Sequence, residues 1–441
     1  ALKPKKMNAL FWHRRDLRIQ DNAGLYHALK NNKSVQAIFI FDSNILINLE
    51  KNDQRIIFIH QEISCLKNLY QKLGSELMVF FGNPTEVIPQ IALEKKCTAV
   101  YFNKDYEPYA RERDKEIFNS LTNLGIDFKG SKDHVIFEKN EITKDDGKPY
   151  TVFTPYSKKW KASLTKEDFN SFPSEKFSLN LAQIQQKEAL ITLEEMGFES
   201  KVLHDFPDRI AKNEILKNYH LSRNFPAVKG TSKLSLHLRF GTISIRKLAL
   251  IAREQNETYL NELIWRDFYQ MIIFHFPKSA ENSFKAQYDK IIWEKNEAHF
   301  DSWCTGKTGY PIVDAGMREL NATGFMHNRV RMVVASFLTK HLLLDWRLGA
   351  AYFAEKLLDF ELASNTGGWQ WAAGCGCDAA PYFRVFNPQA QQEKFDKSFE
   401  YIKKWVPEYG TSSYPEPVIE HKFARERILQ RFKSALNETN A

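Results

Sequence analysis

The sequence predicts an N-terminal α/β domain built on a doubly wound parallel sheet, then a linker, then an all-α domain. Three observations predict it. Short apolar, β-rich runs alternate with helix-length segments over about the first 130 residues, the pattern of right-handed βαβ units. The alternation stops at NEITKDDGKPYTVFTPY, which carries Gly, two Pro and several charges. From Phe206 onward the periodicity is mainly helical. The expected boundaries are 7–130 for the α/β domain, 131–200 for the linker and 201–441 for the helical domain.

In order, the first strand is read at Ala9–His13, followed by the charged turn RRDLRIQDN. Val35–Phe41, Leu77–Phe81 and Thr98–Asn103 are the next three strands, and Arg55–Leu73 is a long helix between them. No GxGxxG follows the first strand, so a standard dinucleotide site is not expected there. In the second domain helices are expected over Thr258–Phe274, Ile312–Leu320, Asn328–Leu344 and Ala350–Leu358, the first closed by Pro277. There is no internal repeat.

With 441 residues and 43% hydrophobic content the chain can bury two or three cores. The surplus of 62 Lys plus Arg over 54 Asp plus Glu mildly favours a polyanionic partner, though solvated surfaces show the same. Five scattered cysteines with no CxxC pair argue against a disulfide framework or a four-ligand zinc site, and no metal is expected. No apolar run is long enough for a bilayer, and ALKPKK lacks a signal core, so a cytoplasmic protein is expected, with Met7 its natural start and Ala1–Lys6 an appended segment. The sequons at Asn256, Asn321 and Asn437 are then chance matches.

The stretch Ser364–Pro388, SNTGGWQWAAGCGCDAAPYFRVFNP, concentrates the unusual chemistry: Trp369 and Trp371 follow a double glycine and precede Asp378 and Arg384. Glycine lets the main chain approach a flat ligand and tryptophan supplies a stacking surface, although a glycine-punctuated loop with core tryptophans has the same composition. In NELIWRDFYQMIIFHFP, Glu262, Trp265, Arg266 and Tyr269 fall at i, i+3, i+4 and i+7, so a carboxylate, an indole and a guanidinium share a helix face. Asn328, Arg331 and Met332 repeat the spacing in MHNRVRMVVASFLTKH. Two such faces in one helical domain suggest a shared polar pocket, with a solvated Glu–Arg face as the plain alternative.

GTSKLSLHLRFGTIS, ELIWRDFY, GKTGYPIVDAGMREL, TGFMHNRVRM and the Ser364–Pro388 stretch, with FWHRRDLRIQDN and NKDYEPYARERD near the start, resemble the photolyase/cryptochrome family over almost the whole chain. Within it the resemblance is greatest to the class I cyclobutane pyrimidine dimer photolyases. It implies an antenna-type α/β domain and a helical domain holding bent FAD. Carried over motif by motif, Thr231, Ser232, Lys233, Leu234 and Ser235, with Tyr219 close by, form the phosphate-side loop, whose hydroxyls and backbone N–H groups suit an anion; on its own this segment is an ordinary helix start. Arg266, Arg331, Asp359 and Glu361 lie near the cofactor and Asn365 faces the flavin N5.

Asn365 favours repair over signalling, because plant-type cryptochromes tend to carry an acid there. No long polar tail follows the last helix, as a signalling member would be expected to have. Asn328 and Met332 stand where (6-4) photolyases resemble one another in carrying His. The substrate pocket implied is Glu262, Trp265, Asn328, Met332 and Trp371, around a pyrimidine dimer flipped from DNA. Arg223, Arg329 and Arg384 match positions that hold DNA phosphates. Trp369, Trp346 and Trp293 match the family's electron chain from flavin to surface. Cys375 and Cys377 depart from the usual Ser, Thr or Gly and are read as small fillers; Glu361 replaces a common Asp and Thr366 a common Asn. The loop Phe276–Phe284 lacks the Cys of folate-type members. Phe41, Asp42, Asp105 and Glu107 resemble parts of a deazaflavin- or FMN-type antenna site. A monomer acting on damaged DNA, with no membrane partner, is expected, and a blue-light receptor or a (6-4) photolyase is the alternative.

Overall fold

A computed structural model describes residues 8–183 and 186–437; Met7 and Ala1–Lys6 lie outside them, as does the side chain of Asn437. The chain divides into two compact units. One collects the described residues of Ala1–Glu141, Ser163–Ile210 and Leu234–Glu254, the other those of Ile142–Ala162, Ala211–Lys233 and Gln255–Ala441.

The first unit is built on five strands, β1 (Asn8–His13), β2 (Ser34–Asp42), β3 (Leu77–Gly82), β4 (Ala99–Asn103) and β5 (Asp127–Ser131), in the order β3-β2-β1-β4-β5. Every pairing is parallel, with Phe11 opposite both Ala37 and Tyr101. The central strands are continuous apolar runs because helices cover both sheet faces. β5, DFKGS, escapes sequence reading: it is a polar edge strand with one aromatic and no alternation, and it needs only one neighbour.

The strand order reverses between β1 and β4, where doubly wound folds keep their ligand crevice at the carboxyl ends. Polar side chains close on one another there. Asn103 Nδ2 donates to Asp16 Oδ2 at 2.5 Å and to Asn22 Oδ1 at 2.8 Å, and His13 is 2.7 Å from the Tyr70 hydroxyl.

The boundary at 201 is not where the contacts divide. Residues 234–254 join the sheet unit because Arg246 meets Asp21 at 2.9 Å and Asp133 at 2.8 Å, and the Leu17 N–H donates to the Phe240 carbonyl at 3.1 Å. Residues 131–200 are shared between the units, with 142–162 on the helical side. Its helix Phe153–Ser163 is anchored through a bond from the Trp160 indole N–H to Asp267 at 3.0 Å.

In the second unit the helix Glu257–His275 ends just before Pro277 as expected, and helices Pro311–Thr323, Asn328–Ser336, Trp346–Lys356 and Leu362–Ala373 pack around Val330, Val334, Leu338, Trp303 and Trp369. The single helix expected over Asn328–Leu344 does not run through. It gives way at Phe337–His341 to a π-helical turn, with the Leu342 N–H on the Phe337 carbonyl, and Leu343 then takes a left-handed φ of 53°. The widened turn sends Lys340 and His341 inward, where Lys340 Nζ donates to the Arg384 carbonyl at 2.7 Å and His341 bonds His421 at 2.8 Å. No helix among the described residues is long and apolar enough to cross a membrane.

Candidate functional site

The opening half of the Ser364–Pro388 stretch is helix, Leu362–Ala373, ended by Gly374 in the left-handed conformation. On it Ser364, Asn365, Gly368 and Trp371 form a part-exposed stripe, while Trp369, Gln370, Ala372 and Ala373 are buried. Trp369 and Trp371 therefore leave the helix on different sides, because a two-residue step turns the helix through about half a circle. The helix Glu257–His275 carries the matching stripe. Glu262, Trp265, Arg266 and Tyr269 are part-buried along it, with Leu263, Ile264, Asp267 and Phe268 inside.

The two stripes meet. A side chain at Gly367 would collide with the Tyr269 ring, so only glycine lets the helices come this close. Arg266 reaches Glu361 at 3.6 Å at the head of the Leu362–Ala373 helix, and the Ser364 hydroxyl donates to the same carboxylate at 3.0 Å. Arg331 pairs with Asp359 at 3.0 Å and donates to the Met326 carbonyl at 2.6 Å. Asn365 Nδ2 donates to the Ala350 carbonyl at 3.0 Å, which fixes the amide's orientation. One helical turn on, Gly368 faces open space, with no atom within 4 Å of where a Cβ would sit. The open space beside Gly368, on a helix whose start carries Asn365 and the Arg266–Glu361 pair, fits a flat, polar-edged group such as a flavin.

Glu262 has two partners, both on Oε1: Arg223 Nη1 at 2.5 Å and the Tyr219 hydroxyl at 3.3 Å. Burial raises its pKa, opposed by Arg223 and Tyr219. Tyr219 sits edge-on to Tyr259, whose hydroxyl is 2.9 Å from Ser232. Lys233 takes a left-handed φ of 54° and lays its ammonium 4.6 Å from the centre of the Phe325 ring. Of the phosphate-side loop, Thr231, Ser232 and Lys233 belong to this unit, whereas Leu234 and Ser235 open the helix Ser235–Phe240 of the sheet unit.

The three arginines matched to DNA phosphates are electrostatic neighbours: burial and the charges of Arg223 and Arg384 all lower the pKa of Arg329. Arg329 Nη2 donates to Asn224 Oδ1 at 2.8 Å, its Nη1 approaches Met332 Sδ at 3.8 Å, and its guanidinium covers the Phe395 ring. Asn328 is exposed on the same helix, with Nδ2 4.0 Å from the Met332 sulfur. Arg384 is exposed beside Phe386, which tilts toward Trp371.

Trp369 and Trp346 are buried, and among the described residues neither indole N–H has a hydrogen-bond partner. Gly349, one turn after Trp346, packs so tightly on Trp369 that no side chain fits. Trp293 is part-exposed and edge-on to Phe432.

Sequence reading missed three participants. Phe153 lies flat on Trp265; its neighbours in sequence read as linker, and only its phenylalanine in VFTPY was a signal. Trp303, buried, lies edge-on to Trp369 with centroids 5.9 Å apart. Gln370, between the two tryptophans, holds the Phe276–Phe284 loop by donating to the carbonyls of Ser279 and Asn282 and accepting from the Phe284 N–H. Cys375 and Cys377 are buried, and burial pushes both thiols up to about 12, so they stay protonated.

In the sheet unit the antenna-matched carboxylates are held within the unit. Asp42 caps a short helix and accepts from Tyr109 and Arg113. Asp105 and Glu107 flank Arg15 at 3.2 and 3.4 Å; burial works against Asp105 ionising, but Arg15, His134 and Arg14 hold its pKa well below the ordinary carboxylate range. Phe41 is buried and stacks on His60.

Residues 9–175 match the family model of DNA photolyase and residues 259–413 that of the FAD binding domain of DNA photolyase. The chain is 36% identical to the deoxyribodipyrimidine photo-lyase of a Synechococcus species, over 98% of each. Its fold superposes on a bacterial class III photolyase from Agrobacterium tumefaciens with a TM-score of 0.86 at 31% identity, covering 99% of both chains. It also superposes on a Synechocystis cryptochrome with a TM-score of 0.83 at 26% identity, covering 97% of this chain and all of that one. The chain belongs to the photolyase/cryptochrome family and carries its FAD-binding domain.

Proposed function

We propose that this protein repairs cyclobutane pyrimidine dimers in DNA, driven by light, as a class I-like photolyase. The observation that supports the reading is the close approach of two helices at Gly367 and Tyr269, one carrying half-buried Glu262 and Trp265 and the other Asn365 and Trp371, together with the electrostatic neighbourhood of Arg223, Arg329 and Arg384. Reduced FAD, when bound, supplies the photoexcited electron that splits the dimer and then recovers it.

The chain's own residues do the rest. Arg266, Arg331, Asp359, Glu361 and Asn365 would hold the cofactor, with Tyr219, Thr231, Ser232 and Lys233 toward its phosphates. Asn365 offers an amide, which hydrogen-bonds without delivering a proton. Trp265 and Trp371 give the flipped dimer apolar walls and keep water out, Asn328 and Met332 line the mouth, and Glu262 binds the pyrimidine carbonyl edge. Arg223, Arg329 and Arg384 bind backbone phosphates without reading sequence. Trp369, Trp346 and Trp293 carry electrons inward from solvent. Trp293, the part-exposed member of the three, is the one that meets solvent.

Asn365 and the pair Asn328 and Met332 favour dimer repair over blue-light signalling and (6-4) repair. The free cysteines, four of them with thiols pushed up to about 12, suit a reducing, cytoplasmic setting, and we take the working form to be a monomer. The test is illumination of the reduced, anaerobic protein with a thymine-dimer oligonucleotide. Recovery of pyrimidine absorbance is expected, and no recovery overturns the reading.

A further inference from the structure

Arg223 has one anion, Glu262, as its partner and two cations, Arg329 and Arg384, in its neighbourhood. In the free protein it pairs with Glu262 at 2.5 Å, each side chain about 30% exposed. Beside it lie Arg329 and Arg384, and among the described residues neither has a carboxylate partner. Arg329 is tied to Asn224, the residue next to Arg223 in sequence. A backbone phosphate arriving at this cluster finds two uncompensated cations and a third whose partner is a carboxylate of the lesion pocket. Both donors to Glu262 sit on Oε1, so Oε2 has no protein partner among the described residues.

We propose that DNA phosphate draws Arg223 from Glu262, and that Glu262, left without its counter-ion, takes a proton from solvent and offers an O–H donor to the flipped base. This rests on the dimer-repair reading and adds a coupling to it: phosphate contact sets the protonation state of the lesion pocket. A carboxylate that loses its cation inside a protein is costly to keep charged, whereas the neutral acid is not. The other groups facing Glu262 do not replace the cation. Tyr219 lies on Oε1, and Tyr259 and Tyr269 flank Glu262 on its own helix. Burial raises the pKa of all three, so they stay neutral hydroxyls through neutral pH. A neutral Glu262 can donate to a pyrimidine carbonyl, which an ionised one only repels.

The test is calorimetric titration, in the dark, of FAD-loaded protein with a single-stranded oligonucleotide carrying one thymine cyclobutane dimer, at neutral pH in buffers of different ionisation enthalpy. Uptake of about one proton per bound dimer is expected for the native protein. Glu262→Gln, nearly isosteric, should still bind and take up none. Arg223→Gln should also take up none, its Glu262 being neutral beforehand, and the slope of log K against log salt should fall by about one. Arg223→Lys, which keeps the pair, should retain the uptake. Dimer binding with no proton uptake, or uptake unchanged in Glu262→Gln, overturns the coupling and leaves the repair reading standing. Equal affinity for the undamaged oligonucleotide overturns both.

Discussion

Phe153 lies flat against Trp265, with ring centroids 3.7 Å apart and planes 4° from parallel. The residue that holds it comes from far along the chain: the Phe153 N–H, at the first position of its helix, donates to Asp378 Oδ2 at 3.1 Å. An orphan N–H at a helix start is thus satisfied by the loop that follows the Leu362–Ala373 helix. Trp265 is thus backed on one ring face and stays half-buried.

Phe153→Ala should therefore loosen Trp265. The lost stack is worth roughly 0.5–1.5 kcal/mol beyond the area it covers. Affinity for a dimer-bearing oligonucleotide should fall severalfold while FAD content is unchanged, and Trp265 emission should shift toward the red. Phe153→Leu should recover part of the affinity. Unchanged affinity in Phe153→Ala would show that the indole does not need its backing.

The neighbouring glycines 367 and 368 should respond in opposite directions to alanine. Replacing a helical glycine normally stabilises by about 1 kcal/mol. Gly368→Ala meets open space, so the cofactor-free protein should melt higher, while FAD retention through gel filtration should drop if the strip beside Asn365 is the flavin's. Gly367→Ala drives a methyl into the Tyr269 ring and should destabilise by roughly 1–3 kcal/mol. Thermal melts with and without FAD separate the two.

Trp293→Phe should slow photoreduction of oxidised FAD and leave repair by pre-reduced protein intact, since Trp293 is the part-exposed member of the three. The edge-on approach of Trp303 to Trp369 offers a second partner at the other end of the chain, so Trp303→Phe should be measured alongside. Unaltered photoreduction in Trp293→Phe would remove it from the chain.

Acid should weaken the fold through His327. Its Nδ1 accepts the Arg329 N–H at 3.1 Å and caps the helix carrying Asn328, Arg329 and Met332, a role only an unprotonated nitrogen can fill. Burial, with Arg331 and Arg329 nearby, pushes its pKa down to about 4 from an ordinary 6.5. Between those values the unfolded chain binds more protons than the folded one, so stability is full above about pH 6.5 and falls toward pH 4, by on the order of 1–3 kcal/mol from this residue. His341, pushed down to about 3 by burial and nearby cations, works in the same direction. His327→Asn keeps a capping acceptor, and its melting temperature should fall less over this window. An identical pH profile would acquit His327.

The sequence by itself determined the features that depend on local spacing. Apolar runs marked β1 to β4, and the spacing of Glu262, Trp265, Arg266 and Tyr269 marked the face that the folded helix leaves half-open, because a helix repeats every 3.6 residues wherever it packs. The long motifs identified the family. Tertiary structure alone decided what depends on residues distant in sequence. It made β5 a strand through β4, and it drew residues 234–254 to the sheet through Arg246, Asp21 and Asp133. It broke the Asn328–Leu344 helix at a π-turn to bury Lys340 and His341 with partners, backed Trp265 with Phe153, and bound Arg223 to Glu262. Each of these is a contact between residues dozens to hundreds of positions apart, whose energy depends on distance and burial, and neither is encoded in spacing along the chain.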